Sequence, residues 1–403
     1  MKFTILVFIL CVASLVLARP MTVEDMWAMK RIGDVQLSPD GKWLAYSIKE
    51  YDMQKNSGKT DIWLLPANGG EPRQMTFHEK SSSSPRWKPD GSGFAFLSAR
   101  AGLSQIFYLS LKGGEAQQLT DFPVDVESFI WSPNGEKFAL TATVFADASS
   151  LQESAERDKE KTESAVQAKI IDNLLFRSWD RWTDGKHTHV FVCQADGSNP
   201  VDVTPGKFDS PPLDLGGHQD FVFSPDGKKI AFTSNRSDMP AANTNNDVLF
   251  VSADGRDPVN VTASNQAVDN QPIFLPDGEY MIYKAMARPV FEADQYEIIL
   301  FNIKSGASES LTESFDLSPD EIIASPDGKT LYFNTKEKGR STIYSLEIKS
   351  KKITKRVAEN VNSKLSISPD GRTLYFTKQS NVMPDEIFAL NLKKESIRQL
   401  SFV

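Results

Sequence analysis

The stretch Ser224-Pro225-Asp226-Gly227 decides the reading of this chain, because the same four-residue turn returns along its length. It recurs as SPDG from Ser38, KPDG from Lys88, SPNG from Ser132, LPDG from Leu275, and SPDG again from Ser325 and Ser368. Proline presets φ at the second position, Asp or Asn tolerates the bridge conformation at the third, and glycine supplies positive φ at the fourth. Each copy is therefore a tight reversal between two strands.

What flanks the turn repeats as well. After each copy comes a short apolar strand, such as Trp43-Leu44-Ala45-Tyr46, Phe94-Ala95-Phe96-Leu97, Ile230-Ala231-Phe232-Thr233 or Leu374-Tyr375-Phe376. A polar gap then leads to an alternating strand, as in Asp61-Ile62-Trp63-Leu64-Leu65 or Glu386-Ile387-Phe388-Ala389-Leu390. A further turn leads to a strand ending in Leu-Thr or its equivalent: Met75-Thr76, Leu119-Thr120, Val203-Thr204, Val261-Thr262, Leu311-Thr312, Leu400-Ser401. Four short strands per unit make a propeller blade.

The turn prolines stand at 39, 89, 133, 225, 276, 326 and 369, at steps of 50, 44, 92, 51, 50 and 43 residues. The long step holds an insertion rather than an eighth blade, since residues 147 to 170 carry a helical pattern and no second strand pair. The expected fold is all-β, a seven-bladed β-propeller with a helical insertion at about 147–175 in its third blade.

Residues 1–18 read as a secretory signal peptide: Lys2, an apolar run from Phe3 to Leu17, and Val16 and Ala18 at the minus-three and minus-one positions of a cleavage site. The run is short for a bilayer span. The expected product is secreted or periplasmic, without a stable membrane anchor, and its propeller occupies 19–403. Cleavage leaves Cys193 as the only cysteine, so no internal disulfide is expected, and a chain of this length buries enough apolar surface to do without one. A formal charge of −8 with no basic cluster argues against nucleic acid as a partner. Thr22 and Asp25, at capping-box spacing before Met26, Trp27 and Met29, predict a short helix ahead of the first blade.

Within the insertion, Ser150 and Glu153 open a helix whose first half is almost all charged, from Glu153 to Lys161. Val166, Ile170 and Leu174 continue at helical spacing, which predicts a helix reaching about residue 172 and docking on something apolar. Then comes Phe176-Arg177-Ser178-Trp179-Asp180-Arg181-Trp182, followed by Thr183-Asp184-Gly185-Lys186 as a turn and His187 to Cys193 as a strand. Strand alternation would put Arg177, Trp179 and Arg181 on one face. Trp and Arg are enriched where surfaces recognise partners; local packing of the tryptophans with paired charges is the alternative. His187 and His189 lie at strand spacing and His218 follows, yet no carboxylate pattern beside them resembles a ligand set, so neither a metal nor a cofactor is expected. Asn235-Arg236-Ser237 and Asn260-Val261-Thr262 are glycosylation sequons.

The passage from Thr22 to Tyr46, the SPDG blades, and the segment Leu174 to Trp182 before a glycine turn together resemble the secreted prolyl-oligopeptidase family of serine peptidases. Within it, they are most similar to the dipeptidyl-peptidase V and acylaminoacyl-peptidase branch, over essentially the whole mature chain. The turn repeat alone is shared with TolB-type propellers, whose PD40 repeats are WD40-like. In the resembling family such a propeller is followed by an α/β-hydrolase domain bearing Ser, Asp and His, and peptides are cut between the two. The resemblance therefore implies short peptides as ligands, a C-terminal hydrolase domain or separate hydrolase subunit as partner, and a propeller that gates access. It also implies a cavity that must hold a peptide amino end, for which Arg177, Trp179, Asp180 and Trp182 are the candidate substrate-binding residues and Asp180 the amine anchor.

No nucleophile elbow Gly-x-Ser-x-Gly occurs here: Gly102-Leu103-Ser104-Gln105-Ile106 and Gly306-Ala307-Ser308-Glu309-Ser310 both lack the second glycine. The last histidine is His218, so no downstream base completes a triad. The chain stops at Val403, where the seventh blade would finish, and is expected to be inactive alone. A stand-alone TolB-like propeller acting as a protein-interaction scaffold is the alternative function.

Overall fold

A computed structural model describes residues 19–172, 174–213 and 220–403. The expected signal peptide, 1–18, and His218 lie outside the described residues. Five four-stranded antiparallel sheets and one eight-stranded sheet account for nearly all the regular structure. The eight-stranded sheet is two four-stranded meanders, 319–357 and 361–399, joined by a single parallel pairing of Ser341 with Val361. The other meanders cover 31–74, 82–118, 128–202, 221–260 and 269–310. Two α-helices complete the picture among the described residues: α1, Val23–Ala28, and α2, Leu151–Glu163.

Every SPDG-type turn joins the first strand of its meander to the second. At the first, Gly41 N donates to Ser38 O at 2.8 Å, while Ser38 Oγ donates to Asp40 Oδ1 at 2.6 Å and accepts from Trp43 N at 3.0 Å. Ser224, Ser325 and Ser368 make the same 2.6 Å bond to Asp226, Asp327 and Asp370. Serine at the first turn position thus serves as a clamp on the strand that follows.

Neighbouring turns also touch one another. A Cβ placed on Gly135 would stand 3.3 Å from Pro89 Cδ, one on Gly227 3.7 Å from Pro133 Cδ, and one on Gly328 3.2 Å from Pro276 Cδ. The same relation links Gly278 to Pro225 and Gly371 to Pro326. Gly41 then returns to Pro369, at 2.9 Å, so the turn of the first meander meets that of the last. A Cβ on Gly91, in the second turn, would meet nothing within 4 Å, so the contacts run from the second turn through the last to the first, and the turns gather at one end of the sheets.

Closure depends on packing rather than on exchange of a strand, because each terminal meander supplies all four of its own strands. Ile32, Val35, Leu44 and Tyr46 of the first meander share one buried cluster with Tyr375, Ile387, Ala389 and Leu400 of the last. Full burial of each such side chain stabilises by roughly 1.5–3 kcal/mol. Lys364 Nζ adds a bond to Ile32 O across the seam at 2.9 Å.

The Leu-Thr signal at the end of each unit acquires a physical role. Six times a hydroxyl in this position accepts the backbone N–H of a residue in the third strand: Thr76 from Ile62, Thr120 from Ile106, Thr204 from Val190, Thr262 from Val248, Thr312 from Ile298 and Ser401 from Ile387, at 2.7–3.0 Å. A buried N–H at the sheet edge is satisfied in each case. Helix α1 carries its expected capping box, with Thr22 and Asp25 bonded reciprocally.

Candidate functional site

The long interval between turn prolines is filled by a segment between the second and third strands of the meander 128–202, that is, between Lys137–Phe145 and Lys186–Gln194. Second strands run away from the turns, so this segment emerges at the opposite end of the sheets, the end that also carries residues 19–30 and 400–403. Helix α2 opens on Ser150, whose side chain accepts from Glu153 N. Ser154 is its one buried residue, with Oγ accepting from Phe145 N at 3.1 Å, and Leu151 and Ala155 pack on the adjoining core. Arg157 bonds to Glu153 and to Asp147, and Lys186 reaches Asp158 at 2.6 Å.

The helix ends at Glu163, short of the expected residue 172, and Ser164 caps it in an extended conformation. Val166, Ile170 and Leu174 are all exposed, Ile170 to 90%, and do not dock as their spacing predicts. Amphipathic spacing becomes a helix only where an apolar surface receives its face. Among the described residues none does so here.

The motif itself folds as a two-stranded hairpin, Arg177–Ser178 with Arg181–Trp182, in which Arg177 faces Trp182 across the pair. The expected alternation, with Arg177, Trp179 and Arg181 on one face, is therefore broken by the reversal at Trp179 and Asp180. Trp179 takes a positive φ of 49° at the tip and is 77% exposed. Asp180 beside it is exposed too. Trp182 stacks on Phe176 with centroids 5.9 Å apart, and Lys169 Nζ and Arg177 Cζ stand 5.2 Å and 5.9 Å from its ring centre. The structure thus brings Arg177 and Trp182 together and leaves Trp179 and Asp180 exposed at the tip, without a side-chain partner among the described residues. Thr183 N and Lys186 N close the hairpin on Phe176 O and Thr183 O. Lys169 and Lys161 beside Asp184 hold its carboxyl below the usual carboxylate range.

His189 is a core residue rather than a ligand. Its Nδ1 lies 2.7 Å from Asp202 Oδ2 and its Nε2 2.8 Å from Gly206 O. Burial opposes its charge, but the bond to Asp202 and the charge of that carboxylate outweigh burial, so its pKa is raised. No cluster of metal-ligating side chains occurs among the described residues. Cys193 is buried, which pushes its thiol up to about 12 and makes it a poor nucleophile. Of the two sequons, Asn235 is nearly buried and bonded to Asn243 and Ser237, whereas Asn260 is exposed on an edge strand. Among the described residues no helix is long and apolar enough to cross a membrane.

The fold is that of a β-propeller. Residues 31–166 match the TolB β-propeller (PD40) family model. Among solved structures, acylaminoacyl peptidase from Pyrococcus horikoshii superposes with a TM-score of 0.70 at 14% identity, covering 94% of this chain and 53% of that one. The β-propeller domain of the Trilobed protease from Pyrococcus furiosus, described as having an open velcro topology, superposes with a TM-score of 0.63 at 12% identity, over 93% and 96% of the two chains.

Sequence carries the assignment further: the chain is homologous to dipeptidyl-peptidase 5. The Porphyromonas gingivalis protein of that name is 27% identical over 379 residues, 93% of this chain and 54% of the relative. The chain therefore spans about half the length of this relative and of its Porphyromonas endodontalis counterpart.

Proposed function

We propose that this chain is the substrate-gating, non-catalytic propeller of a secreted serine exopeptidase, working with a hydrolase domain or subunit that performs the hydrolysis. The observation that carries the reading is the homology to dipeptidyl-peptidase 5 across 93% of the chain but only 54% of the relative. Residues 1–18 act in this reading as the export signal. The meanders are seven blades, the third bearing the insertion with α2. Their four-stranded pattern and the run of turn contacts support that count. The rim opposite the turns, where the insertion and residues 19–30 and 400–403 lie, faces the hydrolase.

On that rim the hairpin 176–182 serves as the binding element. Trp182 is already covered by Lys169 and Arg177, so a peptide amino group is held at the tip, by Asp180 with the ring of Trp179 beside it. Arg177 and Trp182 form the support that positions this tip.

The gene beyond codon 403 gives the direct test. An in-frame Gly-x-Ser-x-Gly within a few hundred codons is the expected result; a stop codon with no hydrolase gene beside it overturns the reading. In the product that includes the hydrolase, Asp180→Asn should raise KM about tenfold, or ~1.4 kcal/mol, with melting temperature unchanged. A fall in melting temperature with KM preserved would mean that the hairpin is structural.

A further inference from the structure

Two blades carry a similar short sequence after their turns, alike at four of six positions: Ala95-Phe96-Leu97-Ser98-Ala99-Arg100 and Ala231-Phe232-Thr233-Ser234-Asn235-Arg236. Both arginines stand at the rim opposite the turns, at the ends of the second strands Gly93–Ala101 and Lys229–Ser234. Both lie over aromatic rings. Arg100 Cζ is 5.0 Å from the ring centre of Phe96 and 4.9 Å from that of Phe107, and Arg236 Cζ is 5.6 Å from those of Phe232 and Phe208. Neither has a carboxylate within ion-pairing distance among the described residues.

Their hydrogen bonding differs, and that difference is informative. Arg100 donates from Nε to Ser98 Oγ at 3.2 Å and from a terminal nitrogen to Ser82 Oγ at 2.8 Å. Ser98 and its counterpart Ser234 each donate to a carbonyl of the segment before their blade, Ser81 O at 2.8 Å and Asp209 O at 3.0 Å, but where Ser98 accepts from Arg100, Ser234 accepts from Ser210 Oγ at 3.0 Å. Asp209 is itself engaged, accepting from Thr188 N at 2.8 Å and facing His187 Nδ1 at 3.5 Å. Arg236 is left partly buried, its Nε out of contact with solvent and without any acceptor among the described residues. Burial lowers its pKa from the usual guanidinium range, while Arg236 keeps its charge at neutral pH.

With Nε–H turned away from solvent, the face that Arg236 can offer a ligand is its two terminal nitrogens, which match the two oxygens of a carboxylate end-on, and partial desolvation strengthens that bond. Phe208 and Phe232 flank the guanidinium and restrict where it can lie, which reduces the side-chain entropy lost when a ligand arrives.

We propose that Arg236 is a carboxylate subsite on the rim, and that it takes the C-terminal carboxylate of a short peptide. Identifying the ligand as a peptide rests on the function proposed above; the carboxylate chemistry does not. In the function proposed above, the hairpin of the neighbouring blade takes a peptide amino end, and Arg236 is a second, separate contact on the same rim.

The test uses this chain and the tripeptide Ala-Ala-Phe as the free acid and as its C-terminal amide, with affinities read by calorimetry. The acid should bind at least tenfold more tightly than the amide, and Arg236→Met should bring the ratio close to one. Arg236→Lys, which keeps the charge and stem but not the fork, should leave a reduced preference, and Arg100→Met should leave the full one. Melting temperatures are recorded for each variant; if Arg236→Met fails to fold, the Arg236→Lys ratio decides. Equal binding of acid and amide, no saturable binding of the acid, or a preference untouched by Arg236→Lys and Arg236→Met each overturns the proposal. Acetate competing as strongly as the peptide would overturn the peptide assignment. N-acetylation of the peptide separates the two sites: Asp180→Asn should alter only the response to acetylation and Arg236→Met only the response to amidation, so either can fail alone.

Discussion

Asp269→Asn should make the protein more stable above about pH 4, by an amount that grows until about pH 7 and is constant beyond. Asp269 is fully buried at the start of the strand Asp269–Phe274. Its backbone N donates to Asn246 O at 2.7 Å and its Oδ1 accepts from Asn265 at 2.9 Å, while Oδ2 has no hydrogen-bond partner. Burial raises its pKa from 3.8 to about 7, with the charge of Asp247 adding to the effect. A raised folded-state pKa means that the folded form holds a proton the unfolded form has released. The stability this confers is complete below about pH 4, declines as pH rises, and is gone above about pH 7. At roughly 1.4 kcal/mol per unit, the loss is on the order of 4 kcal/mol. Asparagine keeps the acceptor for Asn265 and cannot ionise. Urea titrations followed by tryptophan fluorescence at pH 4, 5, 6, 7 and 8 should show wild type and variant nearly equal at pH 4, then parting steadily. Glu321, also raised to about 7 by burial, and His189 titrate in the same window, so the difference between the two proteins carries the test rather than either curve. A difference that is the same at pH 4 and pH 8 would refute the reasoning.

Two further outcomes test the scaffold. Gly41→Ala and Gly91→Ala impose the same backbone cost, since both glycines have φ of 70°, but only at Gly41 does the new Cβ press on a neighbouring turn, against Pro369. Both should lose about 1 kcal/mol from strain, and Gly41→Ala measurably more; equal losses by chemical denaturation would mean that the contact between turns bears no load at the seam. Thr120→Val removes the hydroxyl that accepts Ile106 N in a buried site and should cost about 1–3 kcal/mol, whereas a loss below a few tenths would show that the backbone group finds another acceptor.

The scaffold was legible because its determinants are local and repeated. Ser38, Pro39, Asp40 and Gly41 make their hydrogen bonds within six residues, and the Thr hydroxyls reach back only fourteen. A code written at short range and copied along the chain can be read without knowing what lies across the molecule. Helix α1 was legible for the same reason, since Thr22 and Asp25 satisfy each other. Residues 164–176 were not. Val166, Ile170 and Leu174 have the spacing of a docking helix, but spacing states which side chains could face one surface and says nothing about whether a surface is there.

The hairpin and Arg236 mark the same boundary from the side of function. Trp179 and Asp180 were legible as a pair of unusual residues in a strand context, yet the reversal that separates them from Arg177 and Trp182 depends on a left-handed residue at the tip, which tryptophan seldom adopts and sequence gives no reason to expect. Arg236 sits inside a glycosylation sequon, which draws attention to Asn235, and its own signal lies in a comparison with Arg100. Even that comparison shows only that the two positions are equivalent. What frees one guanidinium and occupies the other is the donor accepted by a serine two residues earlier: both serines donate to a carbonyl of the segment leading out of the previous blade, but Ser98 accepts from its own arginine, whereas Ser234 accepts from Ser210. A repeat fixes each blade alone, so its departures from uniformity arise where blades meet. In a propeller those contacts are also where a rim can become specific, because a donor that one blade satisfies internally remains available to a ligand in another.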